Sequence, residues 1–328
     1  MSKRQPCVFI SSKRLAKGQN AQPFNNNRHQ WWVSLRYTTL LVAQSSAQDI
    51  SKKWGKTKLS KFDLRGKNVL ITGASSGIGK ELAECFAKEG SNLFLGCHPS
   101  EKDTLEGWAD QLQDKYAVKT ATFPIDLSQE KGPENLHEAV RKSVSKIDVL
   151  VNNAGILAYG NFHEIPLERQ ELMIKVNAIA YFKLMRLFLP EMITAKEGRI
   201  LNVASAAAFQ PTAFHAIYGG TKAFVQSLSE AVNQEIKGTG VKIFTLNPSY
   251  TDTPILKSGG FPEKVWWYKI SGFSDPAVIA RKAIKAFKEE KAVYIPGMIN
   301  WFVHSILIRF VPRRLTNAIS YWGLRSRG

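Results

Sequence analysis

Acidic residues are nearly missing from the two ends of this 328-residue chain. Residues 1–61 carry twelve Lys and Arg but a single acid, Asp49, and residues 291–328 carry six basic residues and no acid. The middle, residues 62–290, has a net charge of only +1, so the overall charge of +18 belongs to the ends. Because a nucleic-acid-binding core needs a basic surface of its own, this distribution predicts no nucleic-acid partner.

Cysteine is scarce as well. Cys7, Cys85 and Cys97 are widely separated and form neither a CxxC motif nor a Cys/His metal spacing. This excludes a disulfide framework, and it predicts a reducing, cytoplasmic location and no metal site. The chain also lacks a run of about 18 apolar residues, so the sequence predicts no membrane-spanning helix.

The first 60 residues lack a hydrophobic period and are rich in Ser, Asn, Gln and Lys. Their composition resembles that of an organelle transit peptide, which predicts a mitochondrial location if residues 1–48 are such a peptide. A disordered extension has the same composition. We therefore expect either a targeting segment or a disordered extension over residues 1–61.

From Lys67 onward, short apolar strands alternate with segments of helical spacing. The strands are continuous apolar runs, which is the pattern of a parallel sheet covered by helices on both faces. We predict an α/β fold with a Rossmann-like doubly wound parallel β-sheet, as a single domain over residues 62–295 between N- and C-terminal extensions. In such a fold ligands bind at the carboxyl ends of the strands.

The segment "TGASSGIG" (residues 72–79) follows the first predicted strand and opens the first predicted helix. Gly73 permits a tight turn, Gly77 lets the backbone approach a pyrophosphate, and Gly79 lets helix and strand pack closely. The unpaired N–H groups of the helix N-terminus then face the phosphates. The segment predicts a nucleotide site with the spacing TGxxxGxG.

The segment "YGGTK" places Tyr218 and Lys222 four residues apart at the start of a predicted helix. That spacing puts both side chains on one face, where the cation favours the phenolate and lowers the pKa of the Tyr. Such a Tyr can donate or remove a proton near neutral pH. Taken alone, the motif describes equally well a surface Lys beside a half-buried Tyr.

These motifs, in this order, resemble the short-chain dehydrogenase/reductase family over residues 63–295: TGxxxGxG, "NNAG" at residues 152–155, Ser205, and YxxxK. The resemblance implies an NAD(P)-dependent oxidoreductase that interconverts a carbonyl and a secondary alcohol. It makes Tyr218 the general acid of reduction and Lys222 the group that lowers its pKa and bonds the nicotinamide ribose. Ser205 would hold the substrate oxygen, and Asn177 would tie Lys222 to a proton-carrying water.

The resemblance also assigns the nucleotide site. Asp126 matches the position that contacts adenine, and Thr253 matches the one that contacts the nicotinamide carboxamide. Ser249 stands where the family usually has Gly. The full predicted set is Thr72, Gly73, Ser75, Ser76, Gly77, Ile78, Gly79, His98, Asp126, Leu127, Asn153, Ala154, Gly155, Tyr218, Lys222, Pro248, Thr251 and Thr253.

The choice between NADP and NAD depends on the end of the second strand, "LGCHPSEK" (residues 95–102). An acid there binds the ribose hydroxyls of NAD, and an Arg pairs with the 2′-phosphate of NADP. Neither stands in place, while His98 and Lys102 can offer positive or donor groups. We predict NADP, with NAD as the alternative.

The region after Thr253 predicts the substrate class. Five aromatics around a Gly-Gly pair indicate a mobile apolar cover and a lipophilic carbonyl or alcohol: Phe261, Trp266, Trp267, Tyr268 and Phe273. They fit a subunit or domain interface as well. The tail, residues 296–328, contains a stretch too short to span a bilayer. It fits either a helix on a membrane surface or a helix packed over the substrate pocket.

Two further expectations concern partners and function. The resemblance implies a homodimer or homotetramer assembled through the helices around residues 168–192 and 217–237. The alternative to an enzyme is a non-catalytic nucleotide-binding scaffold or a membrane-surface binding protein with the same fold.

Overall fold

The computed structural model describes residues 62–263, 265, 266, 268 and 272–325. The predicted N-terminal extension and Trp267 lie outside these residues. Within them, all strands pair in parallel in one seven-stranded sheet of order β3-β2-β1-β4-β5-β6-β7. The strands are β1 Asn68–Thr72, β2 Asn92–Cys97, β3 Thr120–Pro124, β4 Val149–Asn152, β5 Gly198–Val203, β6 Val241–Leu246 and β7 Val293–Tyr294. The predicted fold class is confirmed.

Helices connect the strands and continue beyond them. Up to β5 they are α1 Gly77–Lys88, α2 Lys102–Tyr116, α3 Gly132–Ser143, α4 Leu167–Ile174 and α5 Ala180–Thr194. After β5 they are α6 Ala216–Glu235, α7 Pro254–Ser258, α8 Pro276–Lys288, α9 Met298–Phe302, α10 Ile308–Phe310 and α11 Arg313–Leu324. Two π-helical turns, Lys175–Ile179 and Val303–Leu307, join α4 to α5 and α9 to α10.

Both faces of the sheet are covered by apolar layers. On one face α1 and α8 pack together, with the rings of Phe86 and Phe287 edge to face at 6.0 Å between centroids. On the other face Leu184 and Phe188 of α5 pack against Ile200 of β5. Strands β1, β2, β4 and β5 are therefore buried on both sides, which explains why they read as continuous apolar runs.

The crevice for a ligand lies where the strand order reverses. The chain starts the sheet at β1, moves outward to β2 and β3, and returns to place β4 on the other side of β1. The loops after β1 and β4 therefore leave the sheet edge in opposite directions and open a crevice between them. The first loop contains Gly73, and the second contains Asn153 to Gly155.

Three local features differ from the sequence prediction. The long helix expected over residues 168–192 is interrupted by the π-helical turn at Lys175–Ile179. The tail forms two helical segments rather than one, because Pro312 ends the first and immediately precedes α11. The two-residue strand β7 has too few residues to give a recognisable pattern.

Candidate active site

The phosphate loop between β1 and α1 leaves no room for a side chain at two of its glycines, Gly73 and Gly79. Gly73 has φ +64°, and a Cβ on it would lie 2.8 Å from the Cα of Ala154. A Cβ on Gly79 would lie 2.1 Å from the carbonyl oxygen of Gly73. Backbone therefore approaches backbone here as closely as glycine permits, which agrees with the roles predicted for Gly73 and Gly79.

The start of α1 fits a pyrophosphate. Ser76 is its N-cap residue, and the Ser76 side chain makes no capping hydrogen bond. The first N–H groups of this twelve-residue helix are therefore available to an anion. A Cβ on Gly77 would lie 3.1 Å from Cγ2 of Thr253, so the loop also packs against the opposite wall. These groups would hold the phosphates of a dinucleotide.

Thr72 joins the two loops of the crevice. Its hydroxyl donates to the Val151 carbonyl at 3.3 Å and accepts from the N–H groups of Asn153 and Ala154 at 3.0 and 3.1 Å. The Asn153 amide donates back to the carbonyls of Thr72 and Gly73, both at 2.9 Å. The structure therefore gives Thr72 and Asn153 a positioning role within the predicted nucleotide site.

The adenosine end of the crevice is lined by Ser75, Ile78, His98, Asp126 and Leu127. His98 is exposed; its Nδ1 accepts from the Ser100 N–H at 3.3 Å, and its Nε2 lies 3.9 Å from Asp126. Ser75 donates to the carboxylate of Glu101 at 2.8 Å. This end therefore contains a carboxylate, Glu101, that the sequence analysis did not identify.

Tyr218 and Ser205 are brought together at the other end of the crevice. Ser205 follows β5 and caps a short 3₁₀ turn, where its hydroxyl accepts from Ala207 N–H at 3.1 Å. Tyr218 is half-buried in the first turn of α6. Burial raises the pKa of Tyr218, and its hydrogen bond with Ser205 acts in the opposite direction. The sequence predicted a lowered pKa, and burial of the phenol explains the difference.

Lys222 lies one turn further along α6 and is almost fully buried. Its ammonium donates to the Val203 carbonyl at 2.8 Å and to the Tyr181 hydroxyl at 3.4 Å, and it lies 5.8 Å from the Tyr218 ring centroid. Burial lowers the pKa of Lys222 to about 7. Burial thus weakens the hold of Lys222 on its proton, which favours proton exchange at this site.

Asn177 lies in the π-helical turn and is fully buried. Its amide bonds both backbone groups of Ile156, accepting from the N–H at 2.9 Å and donating to the carbonyl at 2.8 Å. A Cβ on Gly155 would lie 3.4 Å from Asn177 Oδ1 and 3.6 Å from Lys222 Nζ. The predicted group of Asn177, Ser205, Tyr218 and Lys222 therefore shares one end of the crevice.

The loop after β6 closes the crevice opposite the phosphate loop. Pro248, Ser249 and Thr251 line it, and Thr253 caps α7. The Thr253 hydroxyl donates to the Thr251 carbonyl at 3.2 Å, and both side chains are buried. Ser249, which stands where the family usually has Gly, lines the crevice without blocking it.

The crevice continues into an apolar cavity, and together they have a volume of about 830 Å³. Phe261 and Tyr250 form one wall, and the rings of Tyr159, Tyr250 and Tyr268 pack around Phe261 at 4.9 to 6.2 Å between centroids. Of the predicted aromatic cover, Phe261 is buried, whereas Trp266 and Phe273 are half-exposed. Another wall comes from the C-terminal helices through Val303, Leu307, Ile308, Val311, Ile319 and Leu324. The cavity fits an apolar molecule.

Sequence reasoning missed three polar residues of the site: Glu101, Tyr181 and His215. His215 is buried against Phe261 and lines the cavity; burial lowers its pKa to about 4, so it is neutral. Its position three residues before Tyr218, at the start of the same helix, was an available signal. Glu101 and Tyr181 gave none, because their contacts join segments 26 and 41 residues apart.

In the described part of the chain, no three His, Cys, Asp or Glu side chains are grouped in a way that could hold a metal ion. Among the helices described here, none combines the length and the apolar content needed to cross a bilayer.

Comparison with known proteins agrees with the geometry. The short chain dehydrogenase profile matches residues 67–260. The ketoacyl reductase HetN of Nostoc is 32% identical over 227 residues, 69% of this chain and 77% of that protein. A very-long-chain 3-oxoacyl-CoA reductase of Phaeosphaeria nodorum is 38% identical over 206 residues, 61% and 59% of the two chains.

Among solved structures, a short-chain dehydrogenase from Sphingobium yanoikuyae in complex with NADPH superposes with a TM-score of 0.66 at 29% identity. The match covers 75% of this chain and 97% of that one. The resemblance inferred from the motifs is confirmed. The chain belongs to the short chain dehydrogenase family and is an oxidoreductase of that family.

Proposed function

We propose that the protein reduces a ketone on a lipophilic acyl chain to a secondary alcohol, using NADPH. The observation that carries this proposal is the position of the Ser205 and Tyr218 side chains, which both line the crevice. They lie at the point where a nucleotide crevice opens into an apolar cavity. A carbonyl in contact with both hydroxyls would extend its apolar chain toward the C-terminal helices.

The side chains have defined tasks in this reaction. A reduced nicotinamide, when bound, supplies the hydride. Tyr218 donates its proton to the carbonyl oxygen as negative charge develops there, and the Ser205 hydroxyl donates a hydrogen bond to the same oxygen. Lys222, with a pKa of about 7, is suited to return a proton toward Tyr218. Asn177 positions the backbone of Ile156 beside Lys222.

The apolar walls and the relatives support the same substrate class. The cavity beyond Tyr218 is lined by aliphatic and aromatic side chains from three parts of the chain: the loop after β4, the segment after α7 and the C-terminal helices. Two relatives are a ketoacyl reductase and a very-long-chain 3-oxoacyl-CoA reductase. A 3-oxoacyl thioester of medium or long chain is the corresponding substrate for this protein.

A chain-length series tests the proposal. We expect kcat/KM for NADPH-dependent reduction of 3-oxoacyl thioesters to rise about fourfold per added CH₂ until the cavity is filled, since each buried CH₂ contributes about 0.8 kcal/mol. Oxidation of NADPH at 340 nm measures it. A flat or falling series contradicts the lipophilic substrate. Nucleotide binding without turnover across this series and a wider ketone panel indicates the scaffold alternative instead.

The NADP(H) preference rests on the adenosine end of the crevice. His98 stands directly after β2, and no acid occupies that position. The Sphingobium relative is in complex with NADPH. Glu101 acts against the preference, because its carboxylate reaches Ser75 of the phosphate loop and repels a 2′-phosphate.

Replacing Glu101 by Gln is therefore expected to tighten NADPH binding about tenfold, or about 1.4 kcal/mol, while NADH binding changes little. Titration of both nucleotides against intrinsic Trp fluorescence measures it. Glu106→Gln is the matched control, because it removes the same charge from α2, where Glu106 lies beside Lys102. Tighter binding of NADH than of NADPH by the unmodified protein would refute the preference. An unchanged NADPH affinity in Glu101→Gln would show that Glu101 does not face the 2′-position.

The oligomeric state and the cellular location of the protein stay predictions. A homodimer or homotetramer through α4, α5 and α6 is supported by the exposed side chains of Leu167, Ile174, Phe182 and Phe224 on those helices. The cytoplasmic location, and the mitochondrial alternative, concern residues outside the described part of the chain.

A further inference from the structure

We propose that the C-terminal helical segment, residues 298–324, binds the surface of an anionic lipid bilayer with its outer face. The inner face of the same segment forms a wall of the substrate cavity. The segment comprises α9, the π-helical turn after it, α10 and α11. Its two faces have different environments, and each is considered in turn.

The inner face is fixed to the protein. The His304 ring bonds the Gln210 amide at 3.0 Å, and the Tyr159 hydroxyl donates to the Leu324 carbonyl at 2.5 Å. The Tyr321 ring stacks on Phe214 at 5.4 Å between centroids. Both halves of the segment are thus anchored, and its outer face keeps one orientation relative to the cavity.

The outer face is unusually apolar for an exposed surface. Met298 is 88% exposed, Phe310 is 82% exposed and Trp322 is 65% exposed. Ile299, Trp301, Phe302 and Leu315 add between 49% and 62% each. So many exposed large apolar side chains within one short segment mark an interaction surface.

The charge of the segment identifies the partner. Arg309, Arg313, Arg314 and Arg325 are all exposed, and residues 291–328 contain no acid. Trp and Phe beside Arg are the composition of a helix lying in the interface of an anionic bilayer. Neither α9 nor α11 can cross a membrane, so the contact is with one surface. A second copy of this chain would bring these arginines against its own arginines.

Docking in this orientation would place one wall of the cavity at the membrane. If the substrate is lipophilic, as the proposed function holds, it can pass between bilayer and cavity along this wall without crossing water. Only this consequence rests on the proposed function. Binding to the bilayer requires no turnover, so the proposal of membrane binding and the proposed function can fail separately.

Cosedimentation of the full chain with vesicles tests the proposal. We expect binding to vesicles of 30% phosphatidylglycerol in phosphatidylcholine and at least tenfold weaker binding to phosphatidylcholine alone. Arg313→Ala with Arg314→Ala should weaken binding to the anionic vesicles about thirty-fold, since each basic residue contributes about 1 kcal/mol. Phe310→Ser with Trp322→Ser should weaken it at least tenfold on both vesicle types. High salt should reproduce the arginine effect only.

Matched controls remove the same groups elsewhere. Lys282→Ala with Lys285→Ala removes two exposed charges of α8, and Phe162→Ser removes an exposed apolar side chain outside the proposed assembly surface. Both should bind vesicles like the unmodified chain, and NADPH titration confirms that each variant is folded. Absence of vesicle binding, or equal loss in the control variants, overturns the proposal. Self-association that disappears in Phe310→Ser/Trp322→Ser without vesicle binding assigns the face to a second copy and likewise overturns it.

Discussion

Replacing Tyr218 by Phe is expected to lower kcat about a thousandfold, because loss of a positioned general acid costs 10² to 10⁴ in rate. NADPH affinity should stay within about threefold, since the ring remains and only the hydroxyl is lost. Stopped-flow reduction at saturating NADPH measures the rate, and fluorescence titration measures the affinity. Tyr116→Phe, which removes a hydroxyl bonded to Glu84 outside the cavity, is the control and should keep full activity.

A fall in kcat without a change in NADPH affinity places the Tyr218 hydroxyl in the chemical step. Turnover by Tyr218→Phe within tenfold of the unmodified chain would contradict the proposed role. A parallel fall in nucleotide affinity would show that the hydroxyl holds the crevice together instead.

The second large effect concerns the phosphate loop. Gly79→Ala would place a methyl group 2.1 Å from the Gly73 carbonyl and 2.3 Å from the Asn153 amide. The first partner is backbone and cannot move aside without breaking the β1–α1 turn. We expect a loss of about 3 kcal/mol or more in the free energy of unfolding and no measurable NADPH binding. The melting temperature should fall by about 6 to 12 °C.

Gly107→Ala is the matched control within the same domain. Gly107 is exposed in the middle of α2, and a Cβ there meets nothing within 4 Å. The change should raise stability by about 0.8 to 1 kcal/mol through helix propensity alone, and NADPH binding should be unchanged. Scanning calorimetry with and without NADPH measures both variants. A Gly79→Ala protein that melts normally and binds NADPH would refute the close approach.

The fold was predictable because it depends on short-range patterns. Short, β-branched-rich apolar runs that end in Gly, such as residues 68–73, favour strands buried on both faces, and their alternation with helical segments favours a parallel sheet. The grouping of Ser205 with Tyr218 was also predictable, because the resemblance to the short-chain dehydrogenase/reductase family assigns both residues to one active site. These parts of the site required no knowledge of long-range packing.

What the sequence did not show depends on contacts between distant segments. The bond between Ser75 and Glu101 is formed only when the turn after β2 folds back on the phosphate loop. The raised pKa of Tyr218 depends on how deeply α6 is buried, and periodicity carries no measure of that. The sequence left two positions open for the tail, on a membrane surface or over the substrate pocket. The structure shows tail helices with one face on the cavity and the other face exposed.

The hydroxyl of Thr72 has a consequence for how a nucleotide is received. One oxygen bonds three backbone groups, one in β4 and two on the loop that follows it, while Thr72 itself belongs to β1. The width of the crevice is therefore set by a hydrogen-bonded bridge inside the protein. A dinucleotide would meet two walls whose separation is already fixed, and its binding would spend little free energy on ordering the loops. The crevice is therefore rigid where it would hold the nucleotide, which is the same for every carbonyl substrate. Any adjustment to a particular substrate would fall to the walls of the cavity beyond.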